Sequence, residues 1–455
     1  MLDLPDLAGR FGDRDAIREP GRTTSYAELA GRVRDAGAAL ARRGVAPGAR
    51  VLLRCPAGSE TVVRALALLE RGCLLLPVSE GGTEAELAVI AKRSSAAWIA
   101  GGDALHALDP QKRAGYAWPE LPVLGLLSSG STGAPKIVLR SAAQVRAAAG
   151  NFSRTLGVTA DDRLLALLPL EHSYAIHNLV IAPLLAGACI VFPGSTHPRA
   201  VIRAAADAGV TFFPAAPLFF DLMTRFQPGG SAALRCVRAF SSMGGSLPRP
   251  VHEAFCAAFG GPLWQAYGAS EVGQALLNRT ARADGDLLAL GRPVDGVEVE
   301  VRGEDGRSLG EGEVGEIVVR SPAVALGYDG PADGGSRIVG DRFYTGDLAL
   351  RRGADLFFAG RKKLLIAMAR GNVDPLEVER VLMSHPDVAD AAVVAHREGS
   401  GETVKALVVA RREIQAAEIM EFCARSLSAY KVPRIVELRP SLPRNALGKL
   451  VRERL

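Results

Sequence analysis

Near the amino end, hydrophobic positions alternate between helical spacing and short continuous runs. A helix over residues 26–44 is predicted by apolar side chains three or four positions apart: Tyr26, Leu29, Val33, Ala36 and Leu40. Gly44 and Pro47-Gly48 end this pattern, and Val51-Leu52-Leu53 is typical of a buried strand. A second unit runs from Thr61 to Arg71 and into Cys73–Leu76. The repeated order of strand, helix and strand predicts a parallel α/β sheet with helices on its faces. Further buried strands are predicted at Leu164–Leu170, Ala188–Phe192 and Val210–Phe213.

The pattern changes near residue 290. Val297–Val301 alternates strictly between apolar and acidic residues, a Gly-rich turn follows, and Glu316–Arg320 is again apolar in its centre. This predicts an antiparallel β-meander. After residue 360 we predict an α+β unit: a helix over Pro375–Ser384, strands at 391–396 and 404–410, and a helix over 415–428. The predicted domain boundary is at Gly360-Arg361, which divides the chain into residues 1–359 and 360–455.

Composition narrows the class of protein. The chain has 455 residues, 48% of them hydrophobic, which excludes a disordered or collagen-like chain. Its net charge of +5 is too mild to favour a nucleic-acid partner. Six scattered cysteines form no Cys-x-x-Cys pair, so neither a zinc site nor a disulfide framework is expected. The apolar run Asn178–Phe192 is interrupted by Pro183 and Gly187 and is too short to span a bilayer. We therefore expect a cytoplasmic protein with no membrane partner, as a monomer or homodimer.

The segment from Leu127 to Lys136 is the most informative in the chain. It follows an apolar run and places hydroxyls, glycines and a lysine together: Ser128, Ser129, Gly130, Ser131, Thr132, Gly133 and Lys136. Glycines let backbone N–H groups approach a polyphosphate, hydroxyls donate to its oxygens, and lysine supplies charge. Pro135 stands where a Walker A loop requires glycine. A plain solvent-exposed turn is the alternative interpretation.

The order of residues in this loop resembles the signature of the adenylate-forming superfamily, which includes acyl- and aryl-CoA synthetases, peptide-synthetase adenylation domains and luciferases. Ile137 departs from the glycine that usually follows the lysine. The resemblance implies an α/β fold: a large N-terminal domain of mixed sheets with flanking helices and a β-subdomain, followed by a small, mobile α+β C-terminal domain. It also implies ATP and Mg²⁺ as cofactors, with Thr132 and Lys136 among the catalytic residues.

Two segments resemble the family's adenine and metal site. Tyr267-Gly268-Ala269-Ser270-Glu271 is similar to a family motif in which the tyrosine stacks on adenine, the hydroxyl meets the α-phosphate and the carboxylate holds Mg²⁺. By this resemblance Glu271 is a catalytic residue and the metal ligand. Gly244 and Gly245, after Met243, resemble a strip that lies along adenine and the substrate. Taken alone, the first segment is more typical of a plain turn.

Three further residues are assigned by resemblance. Asp347, in Thr345-Gly346-Asp347, would accept both ribose hydroxyls, a suitable task for an acceptor-only carboxylate. Arg361 would contact ribose or phosphate, and Lys363 occupies the family's hinge position. Lys362 is interpreted as a solvated charge.

The segment Pro443–Lys449 resembles the family's C-terminal lysine motif. By resemblance, Lys449 enters the site and bridges the carboxylate and the α-phosphate. A mobile positive charge offsets the repulsion between these two anions.

The segment Leu168–His177 corresponds to the family's substrate pocket and resembles that of aryl-CoA ligases. His172 stands where amino-acid-activating domains carry an aspartate, which disfavours an α-amino acid. The residues expected to bind the acid are His172, Tyr174, Ala216, Met243 and Gly268. His177 is interpreted as a surface histidine or a core histidine with its hydrogen bonds satisfied. We expect an aromatic or medium-sized apolar carboxylic acid.

A departure from the family pattern leaves the acceptor open. Ala369 and Arg370 occupy the places of a Gly-Gly pair that lines the family's pantetheine tunnel. The acceptor could therefore be CoA, the phosphopantetheine arm of an acyl or peptidyl carrier protein, or an amine in a reaction that forms an amide or N–N bond. A non-catalytic nucleotide-binding homologue is the remaining alternative.

Overall fold

The computed structural model describes residues 2–101, 104–109, 120–128, 136–227, 232–280, 282–284, 287–330, 336–364, 366–368, 371–398, 401–444, 450–452 and 455. Its α-helices are α1 (Leu4–Phe11), α2 (Tyr26–Arg42), α3 (Ser59–Glu70), α4 (Glu84–Ser94), α5 (Ala142–Leu156), α6 (Ala182–Ala186), α7 (Pro198–Ala208), α8 (Pro217–Phe226), α9 (Arg249–Phe259), α10 (Pro375–Met383) and α11 (Ala416–Ala424). A π-helix covers Ala175–Ile181, and 3₁₀ turns cover Ala232–Leu234 and Lys362–Leu364.

The strands are β1 (Asp15–Glu19), β2 (Arg22–Ser25), β3 (Arg50–Arg54), β4 (Leu74–Val78), β5 (Trp98–Gly101), β6 (Ala104–Ala107), β7 (Pro122–Ser128), β8 (Lys136–Ser141), β9 (Arg163–Leu165), β10 (Cys189–Val191), β11 (Phe212–Ala215), β12 (Ala239–Ser242), β13 (Leu263–Ala269), β14 (Gly273–Asn278), β15 (Ala283–Asp284), β16 (Leu287–Leu288), β17 (Arg292–Pro293), β18 (Glu298–Arg302), β19 (Val314–Arg320), β20 (Gly327–Tyr328), β21 (Arg337–Val339), β22 (Arg342–Arg352), β23 (Asp355–Arg361), β24 (Ile366–Met368), β25 (Gly371–Val373), β26 (Val388–Glu398), β27 (Gly401–Ala410) and β28 (Ile435–Leu438).

Two large sheets form the α/β part of the described chain. One has the strand order β17-β14-β13-β12-β11-β9-β10-β1-β2, and the other β20-β8-β7-β4-β3-β5-β6. Strands β9 to β13 pair in parallel, as do β3 with β4 and β5, while the outer strands pair antiparallel. The predicted α/β class is confirmed. Helix α2 starts where expected because Ser25 and Glu28 form a reciprocal capping box.

One predicted strand is mostly wrong. Of the predicted strand Leu164–Leu170, only Leu164 and Leu165 lie in a strand, β9 (Arg163–Leu165). The Ala166 N–H still donates to the Val191 carbonyl at 2.8 Å, but pairing ends there. Pro169 has no N–H to donate, so the apolar run cannot continue as a central strand.

The C-terminal segment is the predicted α+β unit. The long antiparallel pair β26–β27 is extended by β28, which is parallel to β27. Helix α10 begins at Pro375, with the Asp374 side chain accepting from the Leu376 N–H at 3.0 Å. Helix α11 ends at Ala424, earlier than the predicted residue 428. The shared core of these elements is apolar and includes Val378, Leu382, Val393, Ala406 and Ile419.

By compactness the chain divides into two units. The first comprises Met1–Glu300, Val318–Tyr344 and Ala354–Phe357, and the second Val301–Ile317, Thr345–Gly353 and Phe358–Leu455. The second unit thus takes in Val301–Ile317, most of the region predicted as a β-meander. The boundary between residues 359 and 360 lies within β23 and stays a prediction. Among the helices of the described residues, none has both the length and the apolar character needed to cross a membrane.

Candidate active site

Two neighbouring parallel strands of the nine-stranded sheet, β11 and β12, end side by side. Ala215 of β11 is level with Ser242 of β12, and the Met243 N–H donates to the Ala215 carbonyl at 3.2 Å. Ala216 and Met243 therefore lie side by side at the carboxyl edge of the sheet, where α/β proteins place their ligands. A side chain added at Gly245 would lie 3.8 Å from Pro217. The structure thus places the predicted Gly244-Gly245 strip next to the predicted acid-binding residues Ala216 and Met243.

Strand β13 leads into the predicted adenine and metal motif. The position of Gly268 allows no side chain, because a Cβ there would lie 2.1 Å from the Gly273 carbonyl oxygen. Tyr267 is half-buried, and Ser270 and Glu271 form the turn to the antiparallel strand β14. The glycine is therefore required by this hairpin, independently of any ligand.

Glu271 is a buried carboxylate in a network of polar groups. The Tyr328 hydroxyl donates to its Oε1 at 3.0 Å, and the Tyr328 oxygen lies 3.3 Å from the Ser336 hydroxyl. The Lys136 ammonium donates to Ser336 at 3.4 Å and lies 5.0 Å from the centre of the Tyr328 ring. Burial raises the pKa of Glu271, while Tyr328, Lys136 and Arg140 act in the opposite direction. The structure therefore brings two predicted catalytic residues, Lys136 and Glu271, into one network.

Arg140 belongs to this network and was missed by the sequence interpretation. It is fully buried on β8, and its guanidinium donates to the Ser270 carbonyl at 3.0 Å and to the Ala323 carbonyl. Burial lowers the pKa of Arg140 to about 9, and Glu271 offsets part of this shift. An arginine inside an apolar strand pattern was the available signal, because a buried charge requires polar partners.

The predicted ribose site lies in the second unit. Asp347 is buried, and Arg361 Nε lies 2.6 Å from its Oδ1. The Asp347 N–H donates to the Thr345 hydroxyl at 3.0 Å, and Gly346 adopts a φ of +74° that suits glycine. The two side chains predicted to bind ribose therefore contact each other directly.

Lys362 was interpreted as a solvated charge, and this is wrong. Its ammonium lies 3.0 Å from Oε2 of Glu316, whose side chain is almost fully buried. The other Glu316 oxygen accepts the Gly346 N–H at 3.0 Å. The lysine is required here because it compensates a buried carboxylate.

The predicted acid-binding segment continues into the π-helix. The His172 N–H donates to the Pro169 carbonyl at 3.1 Å in the preceding turn. The Tyr174 ring meets Phe152 of α5 edge-on at 6.0 Å, and burial raises the pKa of its hydroxyl. π-Helices are rare and frequently occur at functional sites. They would not be expected from an apolar pattern alone.

Three polar side chains at this helix and two on strands β12 and β14 have buried polar atoms without a hydrogen-bond partner in the described part of the chain: Tyr174, His177, Asn178, Ser242 and Gln274. His177 and Ser242 are completely buried. The interpretation of His177 as a surface or satisfied core histidine is therefore wrong, since neither ring nitrogen is paired. A buried polar group left unpaired costs about 1–3 kcal/mol, so a cluster of them indicates a site for a ligand or for ordered water.

Several predicted residues lie outside what the structure describes. These are the phosphate loop from Ser129 to Pro135 with the side chain of Ser128, the substituted pair Ala369-Arg370, and Asn445–Lys449. The backbone of Lys363 forms part of a 3₁₀ turn, and its side chain is not described. Their roles stay predictions.

The carboxylate that could hold Mg²⁺ is Glu271. Its oxygens are the hard ligands that Mg²⁺ prefers, and Mg²⁺ in phosphate sites commonly uses one or two carboxylates with substrate oxygens. A second group of possible ligands, His385, Asp387 and Glu418, is already organised by Arg412, which lies 2.7 Å from Asp387 and 3.8 Å from Glu418. We interpret that group as an ion-pair cluster.

Comparison with known proteins assigns the class. A family model described as AMP-binding enzyme matches residues 4–117 and 100–329, and one described as AMP-binding enzyme C-terminal domain matches residues 377–449. The chain belongs to the AMP-binding enzyme family. The resemblance stated from the sequence motifs is thereby confirmed.

The relatives are acid–CoA ligases. Indoleacetate–CoA ligase of Aromatoleum aromaticum is 29% identical over 97% of this chain and 94% of its own length. 2-Succinylbenzoate–CoA ligase of Bacillus cytotoxicus is 31% identical over 72% of this chain and 69% of its own. The solved structure of O-succinylbenzoate coenzyme A synthetase from Bacillus subtilis in complex with AMP has the same fold, with a TM-score of 0.88. It is 24% identical, and the match covers 99% of this chain and 97% of that one. The predicted enzyme class, an AMP-forming acid–thiol ligase, is confirmed.

Proposed function

We propose that the protein converts a small carboxylic acid and ATP into an acyl-adenylate and pyrophosphate, and then transfers the acyl group to the thiol of CoA. In the first step a carboxylate oxygen bonds to the α-phosphorus and the bond to the β-phosphate oxygen breaks. In the second step the thiolate sulfur bonds to the acyl carbon and AMP leaves. The family assignment and the CoA-ligase relatives support this reaction.

The observation that carries the proposal is the buried Glu271 carboxylate with Lys136 in the same polar network. Glu271 would hold Mg²⁺, which supplies positive charge to the phosphate oxygens when bound. Lys136, with Thr132 and the loop hydroxyls, would contact the phosphates from the other side. Arg140 would keep the Ser270 carbonyl, and so the turn that carries Glu271, in place.

The nucleoside would be held by the residues that the resemblance assigns to adenine and to ribose. Tyr267 would stack on adenine beside the backbone of Gly244 and Gly245. Asp347 would accept the ribose hydroxyls, with Arg361 fixing the carboxylate. Residues 360–455 would act as a mobile lid that turns at Lys363 and delivers Lys449 to the two reacting anions.

The experiment is ATP–pyrophosphate exchange with a panel of carboxylic acids, followed by product analysis with CoA, a holo carrier protein and simple amines. Exchange with at least one acid and formation of its CoA thioester are expected. Exchange with no acid would contradict adenylation. Exchange followed by transfer only to the carrier protein or to an amine would overturn the assignment of CoA and would support the altered Ala369-Arg370 pair as its cause.

The lysine assignment has its own test. Lys449→Ala should lower the exchange rate by roughly 10²-fold, because the charge that offsets the two anions is lost. The thermal midpoint should stay that of the wild type. Lys92→Ala, which removes an exposed lysine near the end of α4, is the matched control. Exchange at the wild-type rate in Lys449→Ala would show that another group performs this task.

A further inference from the structure

The unpaired polar atoms of the first unit are concentrated around the π-helix. Of the twelve buried side-chain atoms without a partner in the described residues, eight belong to Tyr174, His177, Asn178, Ser242 and Gln274. Tyr174, His177 and Asn178 lie within five consecutive residues at the start of the π-helix. A core that needed only packing would place apolar side chains at these positions.

The contacts of the structure bring these side chains to one region. Ser241 and Asn178 both lie close enough to the Tyr174 hydroxyl to lower its pKa, and the Tyr174 oxygen has no geometrically satisfied hydrogen bond among the described residues. Ser241 and Ser242 end strand β12, beside the strand ends already described. Helix α5 contacts both the π-helix end and strand β14. Phe152 of α5 packs against Tyr174, and a Cβ added at Gly273 of β14 would lie 3.2 Å from Ala148 of α5.

His177 and Gln274 are both linked to the Tyr267–Glu271 motif. The charge of Arg140 acts on the His177 imidazole, and Arg140 binds the Ser270 carbonyl. Gln274 is directly opposite Gly268 across the β13–β14 pair. The polar cluster therefore borders the turn that carries Glu271, on the side of the predicted acid-binding residues.

The cluster consists of neutral hydrogen-bonding groups. It offers two amides, two hydroxyls and an imidazole, and burial together with Arg140 keeps the pKa of that imidazole well below its ordinary value. Each amide and the neutral imidazole can both donate and accept. The neighbouring cation, Arg140, donates to two backbone carbonyls, and the charge of Glu271 acts on it.

We propose that Asn178, Gln274 and His177 select a carboxylic acid that carries neutral hydrogen-bonding substituents, such as hydroxyl or amino groups, over its unsubstituted parent. This inference rests on the proposed adenylation. It narrows the expectation of an aromatic or medium-sized apolar acid, because an apolar acid would leave these groups unpaired. Sites built to bond a substrate hydroxyl reject analogues that lack it far more strongly than apolar pockets reject a missing methylene.

The test uses the full chain in ATP–pyrophosphate exchange with matched acids: benzoate, its three hydroxy isomers and the aminobenzoates, and hexanoate with its hydroxy derivatives. At least one hydroxy or amino acid should exceed its parent in kcat/KM by roughly tenfold or more. Equal or faster exchange with the parent acids would overturn the inference and leave adenylation intact. Exchange with none of the acids would contradict the proposed function, and the inference would fall with it.

Variants of two glutamines in neighbouring strands distinguish a role in substrate recognition from a role in folding. Gln274→Leu should reduce or invert the preference for the substituted acid, with little change in the KM for ATP and no loss of thermal stability. Gln265→Leu is the matched control, since Gln265 accepts from the Leu247 N–H at 2.8 Å and donates to the Ala289 carbonyl at 3.0 Å. It should lower the thermal midpoint without changing the acid preference. If Gln274→Leu kept the wild-type preference, the cluster would be a structural site for water.

Discussion

Two carboxylates are predicted to bind the nucleotide, Glu271 and Asp347. They are equally buried but have different hydrogen-bonding partners. Their exposed fractions are 7% and 6%, yet Glu271 accepts a hydrogen bond from the neutral Tyr328 hydroxyl while Asp347 contacts the guanidinium of Arg361. Burial raises the pKa of Glu271. A buried carboxylate without a contacting cation gains more from a bound metal ion than one that is already paired. The difference supports the proposed roles, Mg²⁺ binding for Glu271 and ribose binding for Asp347.

The largest expected effect comes from removing the charge of Glu271. Glu271→Gln keeps the shape and should lower ATP–pyrophosphate exchange by roughly 10²-fold or more, because charge stabilisation at the reacting phosphates is lost. Burial penalises the charged side chain, so the variant should fold as stably as the wild type. Mg²⁺ with ATP should raise the thermal midpoint of the wild type and not that of the variant. A variant that kept the wild-type rate would contradict the metal role.

Arg140 supports Glu271 without being placed against substrate. Arg140→Met leaves the Ser270 and Ala323 carbonyls without this donor, and we expect a loss of about 1–3 kcal/mol in the free energy of unfolding. The acid limb of the exchange pH profile should also move upward, because Arg140 lowers the pKa of Glu271. If Arg140 had only a structural role, its replacement would lower the free energy of unfolding and leave the pH profile of exchange unchanged.

The control for that variant is an exposed arginine with acidic partners. Arg320 lies 2.5 Å from Asp341 and 3.4 Å from Glu298, all largely exposed. Arg320→Met should shift the urea midpoint far less than Arg140→Met does, because surface ion pairs contribute little to stability. Equal losses for the two variants would contradict the importance assigned to burial.

The paired carboxylate should behave differently from Glu271. Asp347→Ala removes the acceptor for the ribose hydroxyls and should raise the KM for ATP by roughly tenfold, since hydrogen bonds to charged groups are worth about 1.5–3 kcal/mol. Arg361→Ala should raise it less. Asp341→Ala, which removes an exposed carboxylate, is the control. An unchanged KM for ATP in Asp347→Ala would contradict the ribose role.

The comparison also shows which features a sequence can predict. Strands such as β3 and β4 were predictable because continuous apolar runs between glycines have few alternatives. The strand predicted at Leu164–Leu170 was mostly wrong. Pro169 has no backbone N–H to donate, and this local effect outweighs the apolar pattern. Arg140, Asn178 and Gln274 were missed because hydrogen-bonding state depends on contacts between distant segments. Residue type alone could not distinguish the paired Gln265 from the unpaired Gln274.

The smallest expected effect tests the hydrogen bond that distinguishes Glu271 from Asp347. Tyr328→Phe removes a bond that lowers the pKa of Glu271, so this pKa should rise further above its ordinary value of 4.5. The acid limb of the exchange profile should move to higher pH, with little change at its alkaline plateau. Stability relative to the wild type should fall as the pH rises through the folded pKa, because the charged form then loses its donor. Tyr430→Phe, in the second unit, is the control, and coincident profiles for Tyr328→Phe and the wild type would contradict the bond's role.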